Sequence, residues 1–252
     1  MTVLYEDNHI IAVSKTCNEI VQGDKTGDTP LSEMVKAYIK EKYHKPGEVF
    51  LGVPHRLDRP TSGVVLFART SKALTRLNEM FKEKSVRDDS STQRSCGETT
   101  LQRTGLRKTY WAIVQGVPKQ PEARLVNYLV RNEQQNKSYI VNPTVQHSRS
   151  NNASPKLAVL TYKTLAKGEH YTLLEVNIET GRHHQIRCQL SAIGCPIKGD
   201  LKYGARRSNP DGGICLHARR IELVHPVSKE YITITAPVPD DGLWRALTKE
   251  IQ

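Results

Sequence analysis

Residues 63–68 read GVVLFA, apolar at every position. A strand with one face in water alternates apolar and polar side chains. An unbroken apolar run of this length belongs to a strand covered on both faces. Such a strand needs neighbours, and the chain supplies them. VLYE and IIAV flank the turn residues Asp7 and Asn8 and read as a hairpin. KTYWAIV (108–114), KSYIV, LAVLTY, YTLLEVNI, RRIELV and EYITITA are further strand segments. Helices are fewer. Thr29 can cap one, with Pro30 at its first position and Leu31, Met34, Val35 and Tyr38 at helical spacing. Ser71 caps a second that runs to about Lys84, with Leu74, Leu77 and Phe81 on one face. A third runs from Gln185 to about Ile193, with Ile186, Leu190 and Ile193 as its apolar stripe and Gly194 ending it. GLWRALTKE closes the chain as a short helix. Strands outnumber helices and do not alternate with them, which predicts an α+β fold: a mixed, mainly antiparallel sheet with flanking helices.

The 252 residues carry no internal repeat and no Pro/Gly-rich linker, so residues 1–252 read as one domain. Residues 85–107, SVRDDSSTQRSCGETTLQRTGLR, lack aromatics and periodicity and are expected to form a mobile surface insertion. No apolar run approaches the ~20 residues of a membrane-spanning helix. The N-terminus shows no secretory signal, so a cytoplasmic location is expected. Five cysteines at irregular spacing, with no CxxC pair, argue against a disulfide framework and a structural zinc site. Lys and Arg total 37 against 26 acidic residues, a net charge of +11. A surplus of that size suits a polyanion, most commonly nucleic acid. It is concentrated: eight Lys/Arg and only two acids lie between Arg182 and Arg220.

The sequence also bounds the chemistry. It has no GxxxxGK[ST] loop, no GxGxxG and no GxSxG elbow. Its acids are scattered, which disfavours a two-metal nuclease. What remains is PHRLDRPTSG (54–63), where Asp58 lies between Arg56 and Arg59 before a turn. In a strand, Arg56 and Asp58 would share a face. Spacing alone leaves two readings open, a surface ion pair and a catalytic carboxylate in a basic groove. A second basic patch, ETGRHHQIRCQLSAIGCPIKGDLKYG (179–204), places His184 and Arg187 three residues apart on the expected helix, on a face away from the apolar stripe.

Five motifs in order, HRLDRPTSG, KTYWAIVQG, TGRHHQIR, GCPIKGDLKYG and LHARRIELVHP, resemble the RluA family of RNA pseudouridine synthases. The resemblance spans nearly the whole chain, to about residue 237. It implies the pseudouridine synthase fold, a bent sheet with a central basic cleft, and an enzyme that isomerises uridine in RNA with neither cofactor nor metal. Asp58 matches the family's nucleophile, which attacks either C6 of the base or C1′ of the sugar. Arg187 matches the arginine that pairs with that carboxylate. Tyr110 matches the aromatic residue that stacks on the target base. Arg56 matches the arginine that fills the gap left by the flipped uridine, and Leu216 an apolar wall of the pocket. Arg182, His184 and His217 join Arg56 and Leu216 as expected RNA contacts. Base flipping costs a few kcal/mol, which stacking on an aromatic ring, worth ~1–3 kcal/mol, offsets in part. The expected partner is ribosomal or transfer RNA and the expected state a monomer. The alternative is a non-catalytic RNA-binding or ribosome-assembly factor on the same fold.

Three features depart from the family pattern. Thr16 stands where a proline is usual, without the following glycine. Gln189 replaces a common histidine. The 85–107 insertion interrupts what is normally a short link before KTY. No extra N-terminal RNA-binding domain is expected before the first strand.

Overall fold

A computed structural model describes residues 1–24, 26–82, 105–142, 154–249 and 251. The described chain groups into two compact units. The first holds the chain through the second helix, the start of the fourth strand up to Lys108, and His217–Pro239; the second holds Thr109–Leu216 and the C-terminal stretch from Asp240. Each is a mainly antiparallel sheet with helices, as the α+β expectation requires. Of the expected insertion, residues 105–107 belong to the fold and the rest lies outside the described residues.

In the first unit, β1 (Thr2–Glu6) and β2 (Ile10–Lys15) form the expected hairpin. Asp7 builds its turn by accepting from the amides of His9 and Ile10 at 2.7 and 2.8 Å. β3 (Ser62–Ala68) is buried along its whole length and pairs antiparallel with β2. It also meets β9 (Leu216–Val224) in parallel at Ser62↔His217 and Gly63↔Ala218, and β10 (Tyr231–Thr235) completes the sheet beyond β9. Val64, Leu66, Ile221 and Leu223 form the core with Ala73 and Leu77 of α2 (Ser71–Phe81).

Both helices start differently from the sequence expectation. α1 (Leu31–Lys42) begins after Pro30, which is the N-cap residue and not the first helical one, and no side chain caps it. The Leu31 and Ser32 amides instead donate to the carbonyls of Ile20 and Val21, so a neighbouring segment does the capping. α2 is capped by Thr70 and not by Ser71: the Thr70 hydroxyl accepts from Ala73 N at 3.2 Å.

The second unit contains β4 from Thr109 onward (the strand spans Leu106–Gln115), β5 (Glu122–Asn132), β6 (Lys137–Val141), β7 (Lys156–Lys167) and β8 (Tyr171–Ile178). β8 pairs with β4 and β7, and β5 with β7 and β6. β5 is absent from the sequence reading. Its exposed Glu122, Arg124 and Arg131 interrupt the apolar pattern by which strands are recognised. α3 (Gln185–Ala192) packs on this sheet, and Cys188 joins Leu129 and Ala158 in its core. α4 (Gly242–Thr248) is capped by Asp241. No helix among the described residues is long and apolar enough to cross a membrane.

Candidate active site

Asp58 lies in an irregular segment of the first unit and not in a strand. The expected strand geometry, with Arg56 and Asp58 on a shared face, therefore does not apply. Arg56 is exposed, with Nη1 3.4 Å from Gln22 Oε1, while Asp58 is half-buried. Arg59 turns to the opposite needs of the loop: its guanidinium sits 2.7 Å from Asp28 and 3.7 Å from Asp24.

The Asp58 turn is held from several directions. Thr61 N donates to Asp58 O at 3.0 Å, closing the turn. Lys15, at the end of β2, is 1% exposed and donates to three backbone carbonyls: Thr16 at 2.9 Å, Arg59 at 2.8 Å and Thr61 at 2.7 Å. A buried ammonium requires such partners. Desolvation pushes its pKa down to about 8, against the pull of nearby acidic groups, Glu19 first among them. Ser62 Oγ meets Nδ1 of buried His217 at 2.9 Å. Burial pushes the His217 pKa down to about 4 although a hydrogen bond to Ala236 opposes the shift. Gly63 has φ 114°, and a Cβ there would stand 2.3 Å from the Ala218 carbonyl oxygen. Only glycine fits this close crossing. The departure at Thr16 is accommodated locally: its amide and hydroxyl both donate to Glu19 Oε2, at 2.6 and 2.8 Å.

In the second unit, TGRHHQIR forms a tight turn into α3. Gln185 organises it. Its Oε1 accepts from Thr180 Oγ1 and Arg182 N at 2.8 and 2.9 Å, and its Nε2 donates to Val159 O at 3.0 Å. Sequence reasoning passed over this residue, whose partners Thr180 and Val159 lie outside the helix it begins. Arg182 Nε donates to Leu157 O at 2.8 Å. His184 corrects an expectation. It is the N-cap residue in left-handed conformation, φ 51°, and is buried, so it does not share a solvated helix face with Arg187. Its ring stacks on His183 at 3.8 Å and its Nδ1 lies 3.1 Å from the Tyr203 hydroxyl. Burial, reinforced by the charge of Arg187, holds its pKa far below the usual imidazole range.

Arg187 is itself buried. Its Nε and Nη2 grip Asp200 as a fork at 2.6 and 2.8 Å, and its guanidinium lies 5.1 Å from the Tyr203 ring centre. A bidentate carboxylate fixes the plane of the guanidinium while engaging one edge of it. Asp200 comes from the GDLKYG motif, yet the sequence reading assigned it no role. Tyr110 lies in β4 opposite Val176 and is 9% exposed; Leu216 is buried. Gln189, the second departure, is fully buried and its Nε2 reaches Asn127 Oδ1 at 2.7 Å and the Leu125 and Ala158 carbonyls at 3.3 Å. It ties α3 to β5 and β7. The structure thus brings His184 and Arg187 together around Tyr203, turns the Arg182 side chain to β7, and links the Asp58 turn to His217 through Ser62.

The sequence model of the RNA pseudouridylate synthase family matches residues 9–192, a span that includes Asp58, Tyr110 and Arg187. The chain belongs to the RluA family of RNA pseudouridine synthases. It is 30% identical to the ribosomal large subunit pseudouridine synthase C of Vibrio cholerae, over 98% of this chain and 68% of that one. It is likewise 30% identical to the protein of that name from Vibrio parahaemolyticus, over 94% and 65%. The chain thus spans about two thirds of the length of these relatives. Among solved structures, it resembles human RNA pseudouridylate synthase domain containing 4, with a TM-score of 0.70, 24% identity and coverage of 95% and 89%. Human RNA pseudouridylate synthase domain containing 1 gives 0.63 and 19%, over 97% and 86%. Both show the fold. Among the described residues, no group of three or more His, Cys, Asp or Glu side chains could hold a metal ion.

Proposed function

We propose that this RluA-family chain isomerises uridines of RNA to pseudouridine, with Asp58 as the nucleophile. The reaction breaks the N1–C1′ bond and forms a C5–C1′ bond. C5 gives up its hydrogen and N1 gains one, so no redox partner is needed. Asp58 attacks C6 or C1′. Tyr110 offers the flipped base a ring to stack on. Arg56 enters the gap left in the RNA, and Arg187 is the cationic partner of the nucleophile. Arg182, His184, Leu216 and His217 complete the RNA-facing set. The basic stretch 182–220 supplies a sequence-independent hold on phosphates.

The observation that carries this reading is the bracing of the Asp58 turn. A buried ammonium with three carbonyls, a buried Ser62–His217 contact and a glycine admitting no side chain are costly devices for an exposed ion pair. They suit a carboxylate whose position matters. The names of the relatives favour ribosomal RNA over transfer RNA as the substrate, and we take the acting form to be a monomer. Asp58→Asn should abolish pseudouridine formation while RNA affinity stays within about twofold. Retained turnover in that variant would remove the mechanism. Pseudouridine mapping in cells with and without the protein identifies the target uridine, and a map unchanged in ribosomal RNA would remove the substrate assignment.

A further inference from the structure

β3 has an edge facing away from β2. On that edge Ala68 exchanges both backbone hydrogen bonds with Gly52, at 2.8 and 2.9 Å. Two residues along, the next outward amide is Leu66 N–H, and it meets no backbone carbonyl. It donates to the imidazole Nε2 of His55 at 2.9 Å. Residues 52–55 therefore accompany β3 as an unfinished strand, with a side chain supplying the second rung. Because the rung is a side chain, the backbone is released from the strand edge and leads into Arg56 and Asp58. The ring is fixed in its own plane: it stacks on Phe81 of α2 with centroids 4.6 Å apart and planes 12° apart. Lys108 lies over the same Phe81 ring at 5.1 Å. A ring nitrogen that faces an N–H must be an acceptor, so the imidazole is neutral and its proton sits on Nδ1. Desolvation and the nearby Lys108 charge push its pKa down to about 3, which preserves the acceptor form at neutral pH.

We propose that His55 is a positioning residue for Asp58: its Nε2 stands in for a strand carbonyl toward Leu66 and fixes the upstream root of the turn that Lys15 fixes downstream. The inference rests on the reading of Asp58 as nucleophile. It goes further in giving the first residue of HRLD a function distinct from the chemistry of the fourth. A group that only filled space would be replaceable by leucine. An acceptor is replaceable by glutamine, whose Oε1 has the reach of Nε2.

The test compares His55→Leu and His55→Gln by steady-state kinetics on substrate RNA, by RNA binding, and by hydrogen exchange at the Leu66 amide. His55→Leu should lower kcat roughly tenfold to hundredfold, the range expected when a reacting group is misplaced by about 1 Å, with KM and RNA affinity within about twofold. Its Leu66 amide should exchange faster. His55→Gln should restore protection of that amide and bring kcat within about threefold of wild type. Wild-type kcat in the leucine variant, equal losses of kcat and RNA affinity, or a glutamine variant as slow as the leucine one would each overturn the proposal. If the leucine variant does not fold, the glutamine variant decides: an unprotected Leu66 amide or lost turnover overturns it. Leu66 protection reads the anchor without reference to chemistry. Active Asp58→Asn with a protected Leu66 would therefore sink the nucleophile reading alone.

Discussion

Three histidines make the folded protein sensitive to mild acid. Burial pushes the pKa of His55 to about 3 and of His217 to about 4, and holds that of His184 lower still. An unfolded histidine titrates near 6.5. Where the folded pKa is depressed, the unfolded chain takes up the proton first, so stability present above pH 6.5 is lost as the pH falls toward the folded value. Between pH 7 and pH 5 each histidine removes about 2 kcal/mol, since the unfolded side chain gains its proton over about 1.5 pH units at 1.36 kcal/mol each. Three together remove about 6 kcal/mol, comparable with the whole net stability of a typical protein, ~5–15 kcal/mol. The carboxyls of Glu6, Asp7 and Glu222 are held low by hydrogen bonds and cations that outweigh their burial. They contribute stability that is lost only below their ordinary range, so the window from pH 7 to 5 isolates the histidines. His55 and His217 belong to the first unit and His184 to the second. Urea unfolding at pH 7, 6 and 5 should show a total loss of about 6 kcal/mol across this window. A total loss below about 1 kcal/mol would refute the reasoning, because it would mean that none of the three imidazoles is kept neutral by the fold.

Lys15→Met removes a buried charge together with its three carbonyl contacts. Losing three hydrogen bonds to a charged group, at ~1.5–3 kcal/mol each, outweighs the recovered desolvation. A net destabilisation of about 2–4 kcal/mol is expected in denaturant titrations, and an unchanged midpoint would contradict the bracing role. Asp200→Asn leaves the buried Arg187 guanidinium with a neutral partner; breaking a buried pair costs about 3 kcal/mol. Single-turnover kinetics should then show slower isomerisation with RNA affinity preserved, and a wild-type rate would mean that Arg187 needs no help in orientation.

Much of this was legible in the chain. The all-apolar run at 63–68 announced a buried strand, and β3 is buried at every position. The motif order led to the right family. What stayed hidden depends on contacts between distant segments. β5 is half-exposed and mixes charges with Leu125, Val126 and Leu129, so its partners and not its composition make it a strand. Spacing puts His184 on a helix face because it cannot announce a left-handed residue at a helix start. The start of α1 is hidden for a related reason, since Ile20 and Val21 supply acceptors that no local pattern encodes, whereas at α2 the cap is local and lies one residue earlier, at Thr70. The roles of Lys15, His55 and Asp200 are of the same kind, each defined by an acceptor or donor elsewhere in the fold.

Gly63 carries a genetic consequence. Its backbone passes so close to Ala218 that a single added carbon has no room. Every missense change in a glycine codon adds that carbon, whatever the rest of the new side chain. Codon 63 therefore has no conservative neighbours in mutational space. Around it, Val64 and Val65 can drift among aliphatic residues of similar volume. The Asp58 turn is thus inherited together with a position at which evolution can only stand still.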